Sequence, residues 1–409
     1  MTVKHWNFNK IEVNNILSTP GAMQDAVLDK FKDPAVVPLH IASDVIIGEN
    51  AQLADYIVPD TIPYESFGTP GDGGTWSGHG SAARWQAKTP ETMKLDDGRF
   101  ASFEAFCIDV AKELGMPGYG DDAIMDVDGK LWPHNDAYDY WLKAIANIAC
   151  AEPPVPDITE EEMNLQALDK LPEAWKSAVT ADEWPKVLNV LSRGGRFDPI
   201  EVIEGEDGRS AFAVEFQSFL YSEARATSSN FYSGKAYSPV MHVTPQTFID
   251  GTPYEHRYSR KEYPFMVASH KPRFRSSTML ANSPVMQDIC EHNYLEINDE
   301  DAKELGIKDG EQIKVSGPSG PAMEGEAMVR KGIMRGSIGL AFGYGHNAYG
   351  SQDVAIDGQE TRKGNPVAGA GVALQILDDP TVKDVVFPVA DLEWASPGRN
   401  GGMYKIEKA

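Results

Sequence analysis

Residues 263–278 read YPFMVASHKPRFRSST, and in them His270, Lys271, Arg273 and Arg275 run directly into three hydroxyls, Ser276, Ser277 and Thr278. Guanidinium and ammonium groups beside hydroxyl donors are the chemistry needed to hold phosphate or another anion. Lys271 and Arg275 are the candidates for the ionic contacts, and the three hydroxyls for hydrogen bonds from the loop. The competing use is pairing within the chain, which sets 61 acidic against 37 basic residues and carries a net charge of -24. Further on, AFGYGHNAYG places Gly343, Gly345 and Gly350 around His346. Glycines let a ligand approach the backbone closely, whereas a lone histidine is more often a satisfied structural residue than a ligand. Asp44 is a third candidate. It follows the apolar run 36–41, where a strand is expected to emerge at the carboxyl edge of a sheet, the edge at which open α/β folds bind ligands. Capping a helix that begins near Glu49 is the alternative use of the same carboxylate.

Other polar stretches carry less. The segment 68–80, GTPGDGGTWSGHG, has six glycines but lacks the lysine and hydroxyl of a phosphate loop. His79 within it and Arg84 beside Trp85 are weak candidates, the second more simply explained as a cation on an aromatic face. Asp126-Val127-Asp128-Gly129 lacks the later ligands of a calcium loop and reads as a turn. Cys107, Cys150 and Cys290 are too far apart for a C-x-x-C site, and their odd number argues against a disulfide framework. Cys107 is expected to pack in a core.

These residues need elements to hold them. Asn298 caps a short helix with Asp299, Glu300 and Asp301 in its first turn and Gly306 at its end. Ile313 and Val315 alternate with Gln312, Lys314 and Ser316 as a half-buried strand, and a second strand is expected around 327–330. This is a small β-barrel with one helix inserted. Upstream, 102–114 is an amphipathic helix with Phe103, Phe106, Cys107, Val110, Ala111 and Leu114 inward. Residues 160–171 show a helical pattern in a Pro- and Glu-rich peripheral region, and 201–219 turn towards strand character. With 409 residues, the chain divides into two or three domains; we set the boundaries at 1–95, 96–256 and 257–409. The acidic balance excludes non-specific nucleic-acid binding. No apolar run approaches a membrane helix, and MTVKHWNFNK has no signal core, so taken alone the sequence reads as soluble.

NYLEINDEDAKELGIKDGEQIKVSGPSG, followed by FGYGHNAYG, resembles the C-terminal dinucleotide-binding domain of the molybdopterin oxidoreductases, the dimethyl sulfoxide reductase superfamily. Within it, YIVPDTIPYESFG, SAARW, GYGHNAYGSQDVAIDG and the closing Met403-Tyr404-Lys405 look most like tetrathionate reductase catalytic subunits, with respiratory arsenate reductases second. The resemblance implies an incomplete Rossmann-like α/β region, a second α/β domain with peripheral helices, and a C-terminal double-psi-like β-barrel. It implies bis-molybdopterin guanine dinucleotide with molybdenum or tungsten. Asp44, His270, Lys271, Arg275, Ser276, Ser277, Thr278, Gly345 and His346 are then cofactor-binding candidates, His346 at the pterin end.

In the family, the 4Fe-4S cluster and the metal ligand precede the segment matching ADYIVPD. No catalytic or metal residue is therefore assigned here, and the cluster is expected only on an N-terminal part. The partners implied are that N-terminal half or a complementary chain, a small oxyanion substrate, an iron-sulfur electron-transfer subunit, and a membrane anchor subunit. The expected activity is reduction of a sulfur oxyanion such as tetrathionate in anaerobic respiration, on the periplasmic or exported face of the membrane. This chain alone is expected to be inactive. An arsenate or selenate reductase, a non-catalytic scaffold keeping the fold, and an unrelated double-psi barrel are the competing readings.

Overall fold

The computed structural model describes residues 5–7, 32–48, 51–60, 94–197, 220–229, 234–240, 242, 252–275, 280–318, 322–348, 350–373, 381–382, 385–386 and 400–409. His79, Arg84, Trp85, the glycine-rich 68–80, the expected strand at 201–219 and Ser276, Ser277 and Thr278 lie outside these. By internal contacts the chain forms two compact units, one of Met1–Ala42, Ile46–Ile57 and Gln217–Ala409, the other of Ser43–Val45 and Val58–Phe216.

The first strands, β1 (His5–Asn7), β2 (His40–Asp44) and β3 (Tyr56–Pro59), form a three-stranded sheet with β1 parallel to β2. The strand expected over 36–41 begins later, at His40. Asp33 closes a turn instead, its carbonyl accepting the N–H groups of Val36 and Val37 at 2.9 Å and its carboxylate that of Ala35 at 2.8 Å. Pro38, which has no N–H, cannot extend a ladder through the run.

In the second unit, α1 (Phe103–Glu113) starts where Ser102 Oγ accepts the Ala105 N–H at 3.1 Å. Its buried face is Phe103, Ala105, Ile108 and Ala111. Cys107 is only half-buried and Leu114 is 70% exposed, so the apolar stripe expected through them is rotated. The hairpin of β4 (Gly120–Met125) and β5 (Leu131–His134) turns at Asp126, whose carboxylate accepts the N–H groups of Asp128 and Lys130 and the indole N–H of Trp132. Helix α2 (Ala137–Cys150) packs Leu142, Ile145, Ala146 and Ala149 against Val187, Leu188, Val190 and Leu191 of α5 (Trp184–Arg193). Between them lie α3 (Glu160–Leu165) and α4 (Glu173–Lys176). The helix expected to Leu171 stops at Leu165, because Ala167 turns left-handed at φ 54°. Arg99 ties the start of α2 to α1, donating to Asn135 O at 3.1 Å and pairing with Asp109 at 2.8 Å and Asp97 at 2.7 Å.

The first unit is built on a closed barrel. Its strands are β6 (Phe265–His270), β7 (Leu295–Asn298), β8 (Gln312–Ser316), β9 (Ala322–Arg330), β10 (Ser337–Ala341) and β15 (Gly401–Lys408). They close in the order β10-β6-β15-β8-β9-β7, with β6 parallel to β10, β7 parallel to β9 and the other neighbours antiparallel. Alternate residues point inward as a strand requires: Leu295 and Ile297, Ile313 and Val315, Ile338 and Leu340, Tyr404 and Ile406 form one core. Two helices are inserted, α6 (Pro284–Ile289) and α7 (Asp299–Leu305). Asn298 caps α7 by accepting the Glu300 N–H at 2.9 Å, and Gly306 ends it at φ 67°, both as the sequence indicates. Beyond β10 come the exposed hairpin β11 (Val354–Ile356) and β12 (Gln359–Arg362), and the short pair β13 (Thr381–Val382) and β14 (Val385–Val386). The barrel and the inserted helix α7 therefore match the fold expected from the sequence, and α6 is a second helix that the sequence reading did not expect.

In the second unit, Asp136 caps α2, its carboxylate accepting the Ala137 N–H at 2.6 Å. Burial pushes its pKa up from 3.8 to about 6, against the pull of that bond and of Arg99. Folding therefore takes up a proton between these two values. The stabilisation by protonation is complete below about 3.8 and is lost as the pH rises through about 6, a difference of up to roughly 3 kcal/mol. Asparagine caps helices as well as aspartate but carries no charge to desolvate. Asp136→Asn should thus be more stable than the parent at pH 8 in urea melts, with the advantage shrinking towards pH 4; equal stability throughout would show that Asp136 is not strained by burial.

Candidate functional site

Strands β6 and β10 run parallel and in register from Met266 opposite Ser337 to His270 opposite Ala341, so both end at the same rim of the barrel. The Phe342 N–H donates to His270 O at 3.0 Å and carries the pairing one residue further. Whatever follows His270 must then meet whatever follows Ala341. In this sequence these are the cationic stretch 271–275 and the glycine-rich 342–350.

At the meeting point Arg275 turns inward. It is 8% exposed; its Nη2 donates to Gly343 O at 2.6 Å and its guanidinium carbon lies 4.0 Å from the centre of the Tyr344 ring. No carboxylate pairs with it among the described residues. Its other terminal nitrogen, Nη1, is buried and has no hydrogen-bond partner among the described residues. Leaving a buried donor of a charged group unmatched costs about 1–3 kcal/mol or more, so an acceptor arriving there would be held firmly. Burial, aided by Cys290 and opposed by Arg275, pushes the Tyr344 phenol above its ordinary pKa, which keeps the ring under the guanidinium neutral. Arg275, Tyr344, Cys290, Gln287 and Ala368 share a cavity of about 10 Å³, room for about one water.

The other sequence candidates are placed differently. His270 Nε2 lies 3.3 Å from Glu296 Oε1, and Arg330 binds the other oxygen of that carboxylate at 2.7 Å. Glu296 can lie across the intervening strand because residue 339 is glycine; a Cβ there would stand 3.1 Å from Glu296 Cβ. His270 is thus engaged by the barrel's own acid. Lys271 and Arg273 are exposed. His346 is buried on the glycine-rich loop. Beside it, Gly345 has φ +70° and its Cα faces the backbone of Val372 and Ala373, where no side chain fits. Asp44 belongs to the second unit; its Oδ1 accepts the Val45 N–H at 2.9 Å and its carbonyl the Asp60 N–H at 3.1 Å. The basic-looking 362–365 is locally used. Lys363 pairs with Asp353 at 3.0 Å and Glu360 at 2.6 Å, and the Asn365 N–H donates to Gly350 O at 2.7 Å.

The same loop borders a cleft of about 490 Å³, formed by residues 51–57 and 347–357 and lined by Asp55, Tyr56, Asn347, Asp353 and Asp357 among others. This is the size of an organic ligand site. Its carboxylates suit N–H donors, while the donors suited to an anion are at Arg275. Among the described residues no three His, Cys, Asp or Glu side chains are placed to hold a metal ion.

Sequence reading did not single out Glu296 or Tyr344. Tyr344 stands inside the motif already noticed around His346, so the motif was the available signal; Glu296 is a polar residue in an apolar strand and carries none. A lysine at 275 could not donate to Gly343 O and lie flat on Tyr344 at once. Arg275→Lys should lower the urea midpoint by an amount corresponding to roughly 1–2 kcal/mol, and an unchanged midpoint would take Arg275 out of the loop's support.

Residues 265–369, which hold the barrel's first strands, Arg275 and the whole glycine-rich loop, match the molydopterin dinucleotide binding domain family. The chain is 32% identical over 403 residues to a tetrathionate reductase subunit of Salmonella typhimurium, covering 97% of this chain and 38% of that protein. It is 30% identical to a selenate reductase subunit of Mesobacillus selenatarsenatis, covering 87% of this chain and 35% of the relative. It is also 30% identical to a tetrathionate reductase subunit of Archaeoglobus fulgidus, covering 90% and 34%. The chain thus spans less than two-fifths of the length of these curated relatives. Over that span, with a dinucleotide-binding family matched on the barrel and reductase subunits matched along nearly all its length, the chain belongs to the molybdopterin oxidoreductases of the dimethyl sulfoxide reductase family.

Proposed function

We propose that this chain is the cofactor-holding part of the catalytic subunit of a molybdenum or tungsten enzyme that reduces a sulfur oxyanion of the tetrathionate type. The observation that carries the reading is the buried Arg275 at the root of a glycine-rich loop, inside the segment that matches the dinucleotide-binding family. The described residues fit a molybdopterin guanine dinucleotide. Arg275 Nη1 is a buried donor in want of an acceptor such as a phosphate oxygen, and the glycine-rich loop that Arg275 supports also borders a cleft with the volume of an organic ligand. Ser276, Ser277 and Thr278 follow Arg275 directly in sequence and supply hydroxyl donors. When bound, the metal centre supplies two-electron redox chemistry; the protein's share is to hold and orient the cofactor and tune its surroundings. In this chain Arg275 fixes Gly343 and offers its charged Nη1, and His346 stands buried on the same packed loop. On the same family grounds the enzyme would work with a membrane anchor and an iron-sulfur electron-transfer subunit on the exported face of the membrane, with a 4Fe-4S cluster carried outside this chain.

The choice of tetrathionate rests on relatives from two distant organisms and on the longest coverage of this chain. Selenate is the second reading, favoured by the Mesobacillus relative. The complete enzyme, assayed with reduced viologen, should show higher kcat/KM for tetrathionate than for selenate; the reverse order would transfer the assignment. For the cofactor, charge-assisted hydrogen bonds contribute on the order of 1.5–3 kcal/mol. Arg275→Ala in the complete enzyme should therefore weaken cofactor retention about ten- to a hundred-fold, read as guanine nucleotide and metal per protein, with Ser276→Ala acting in the same direction. Full occupancy in both variants, with the fold intact, would remove this loop from the cofactor site.

A further inference from the structure

The excursion after β10 leaves the barrel at Ala341 and returns to it at Val372, and one side chain grips both ends. Asn293, in the bend before β7 and 3% exposed, donates from Nδ2 to Ala341 O at 2.7 Å and to Val372 O at 2.9 Å. Its Oδ1 accepts the Val372 N–H at 2.7 Å. The two bonds to Val372 reproduce what a neighbouring strand residue would give it, so the amide stands in for a strand where the chain re-enters the barrel. Val372 itself packs in the barrel core. The return path is shaped to admit the amide: Gly371 has φ +94°, and a Cβ there would come 2.5 Å from Asn293 Oδ1. Both amide hydrogens are used in a buried place, where a lost partner costs more than the bond contributes.

We infer that Asn293 is the positioning residue of this loop. By clasping residues 341 and 372 it sets where Gly343, Gly345 and His346 stand, and so governs dinucleotide binding without touching the ligand. The clasp stands on geometry alone; its bearing on the dinucleotide rests on the function proposed above. Asn293→Asp keeps the size of the side chain and the acceptor for the Val372 N–H, but turns a carboxylate towards two carbonyl oxygens. Hydrogen exchange of the full chain should then quicken on the order of 10- to 100-fold within 342–371, with β7, β8 and β9 protected as before. In the complete enzyme, guanine nucleotide per protein should fall. Gly371→Ala, which crowds Oδ1 from the other side, should open the same segment and serves if the aspartate variant does not fold. Ile313→Ala, a truncation in the barrel core, provides the pattern expected of general destabilisation. Unaltered exchange in the Asn293 variant, or a uniform acceleration like that of Ile313→Ala, would overturn the clasp. Selective opening of 342–371 with undiminished nucleotide content would uphold the clasp and overturn its part in binding.

Discussion

In a chain of net charge -24, a cation meant for an anionic ligand has to be kept from the chain's own carboxylates. Several of the cations show how strong that competition is: Arg99, Arg330, Arg335 and Lys363 each pair with one or more acids. Arg275 escapes it by burial. Its guanidinium is fixed by a backbone carbonyl and an aromatic face, neither of which carries a charge, so its positive charge is not cancelled where it sits. A surface lysine in the same loop would be screened by salt and by neighbouring acids; a buried guanidinium next to bare backbone keeps its field at short range, where a phosphate would need it.

That arrangement depends on strand direction. A parallel pair such as β6 and β10 sends both outgoing segments from one rim, whereas an antiparallel pair would send them from opposite ends. The barrel's closure then fixes the rim: every strand has two neighbours, and the inward residues fill one apolar core. Glu296 adds a polar tie on the outer face, gathering His270 of β6 and Arg330 of β9 across Gly339. His270, the first basic residue of the sequence motif, thereby holds the strand end from which Arg275 departs. Motif neighbours a few residues apart serve different ends, one structural and one directed at the loop.

The legible parts of the sequence were the local ones. Asn298 and Gly306 bracket α7 because a cap and a left-handed glycine act within a turn of the helix they end. The alternation of Ile313 and Val315 marks β8 because burial on one face needs only its own period. The apolar run at 36–41 misled, since Asp33 and Pro38 impose a turn that hydrophobicity does not report. Arg275 could be read as a cation beside hydroxyls, but not as a buried one, because its partner stands 68 residues away. The partners of Asn293 are 48 and 79 residues distant, so it looks like any polar residue before a strand. Long-range pairing decided the site, and a single sequence records it only through a family resemblance.

The glycines of the loop are easily misread as marks of mobility. At Gly345 and Gly371 a Cβ would run into the backbone of Ala373 or the amide of Asn293, so these positions are glycine because the chain passes too close for anything larger. Gly369 is likewise pressed against the carbonyl of His346. The loop is therefore packed on the segment that returns to the barrel, and the Gly345 N–H itself donates to Ala370 O of that segment at 3.0 Å. A ligand gains little from a loop it must first order, because that ordering subtracts from its affinity. Close-packed glycines meet that need: the close approach they allow holds the loop in place before any ligand arrives.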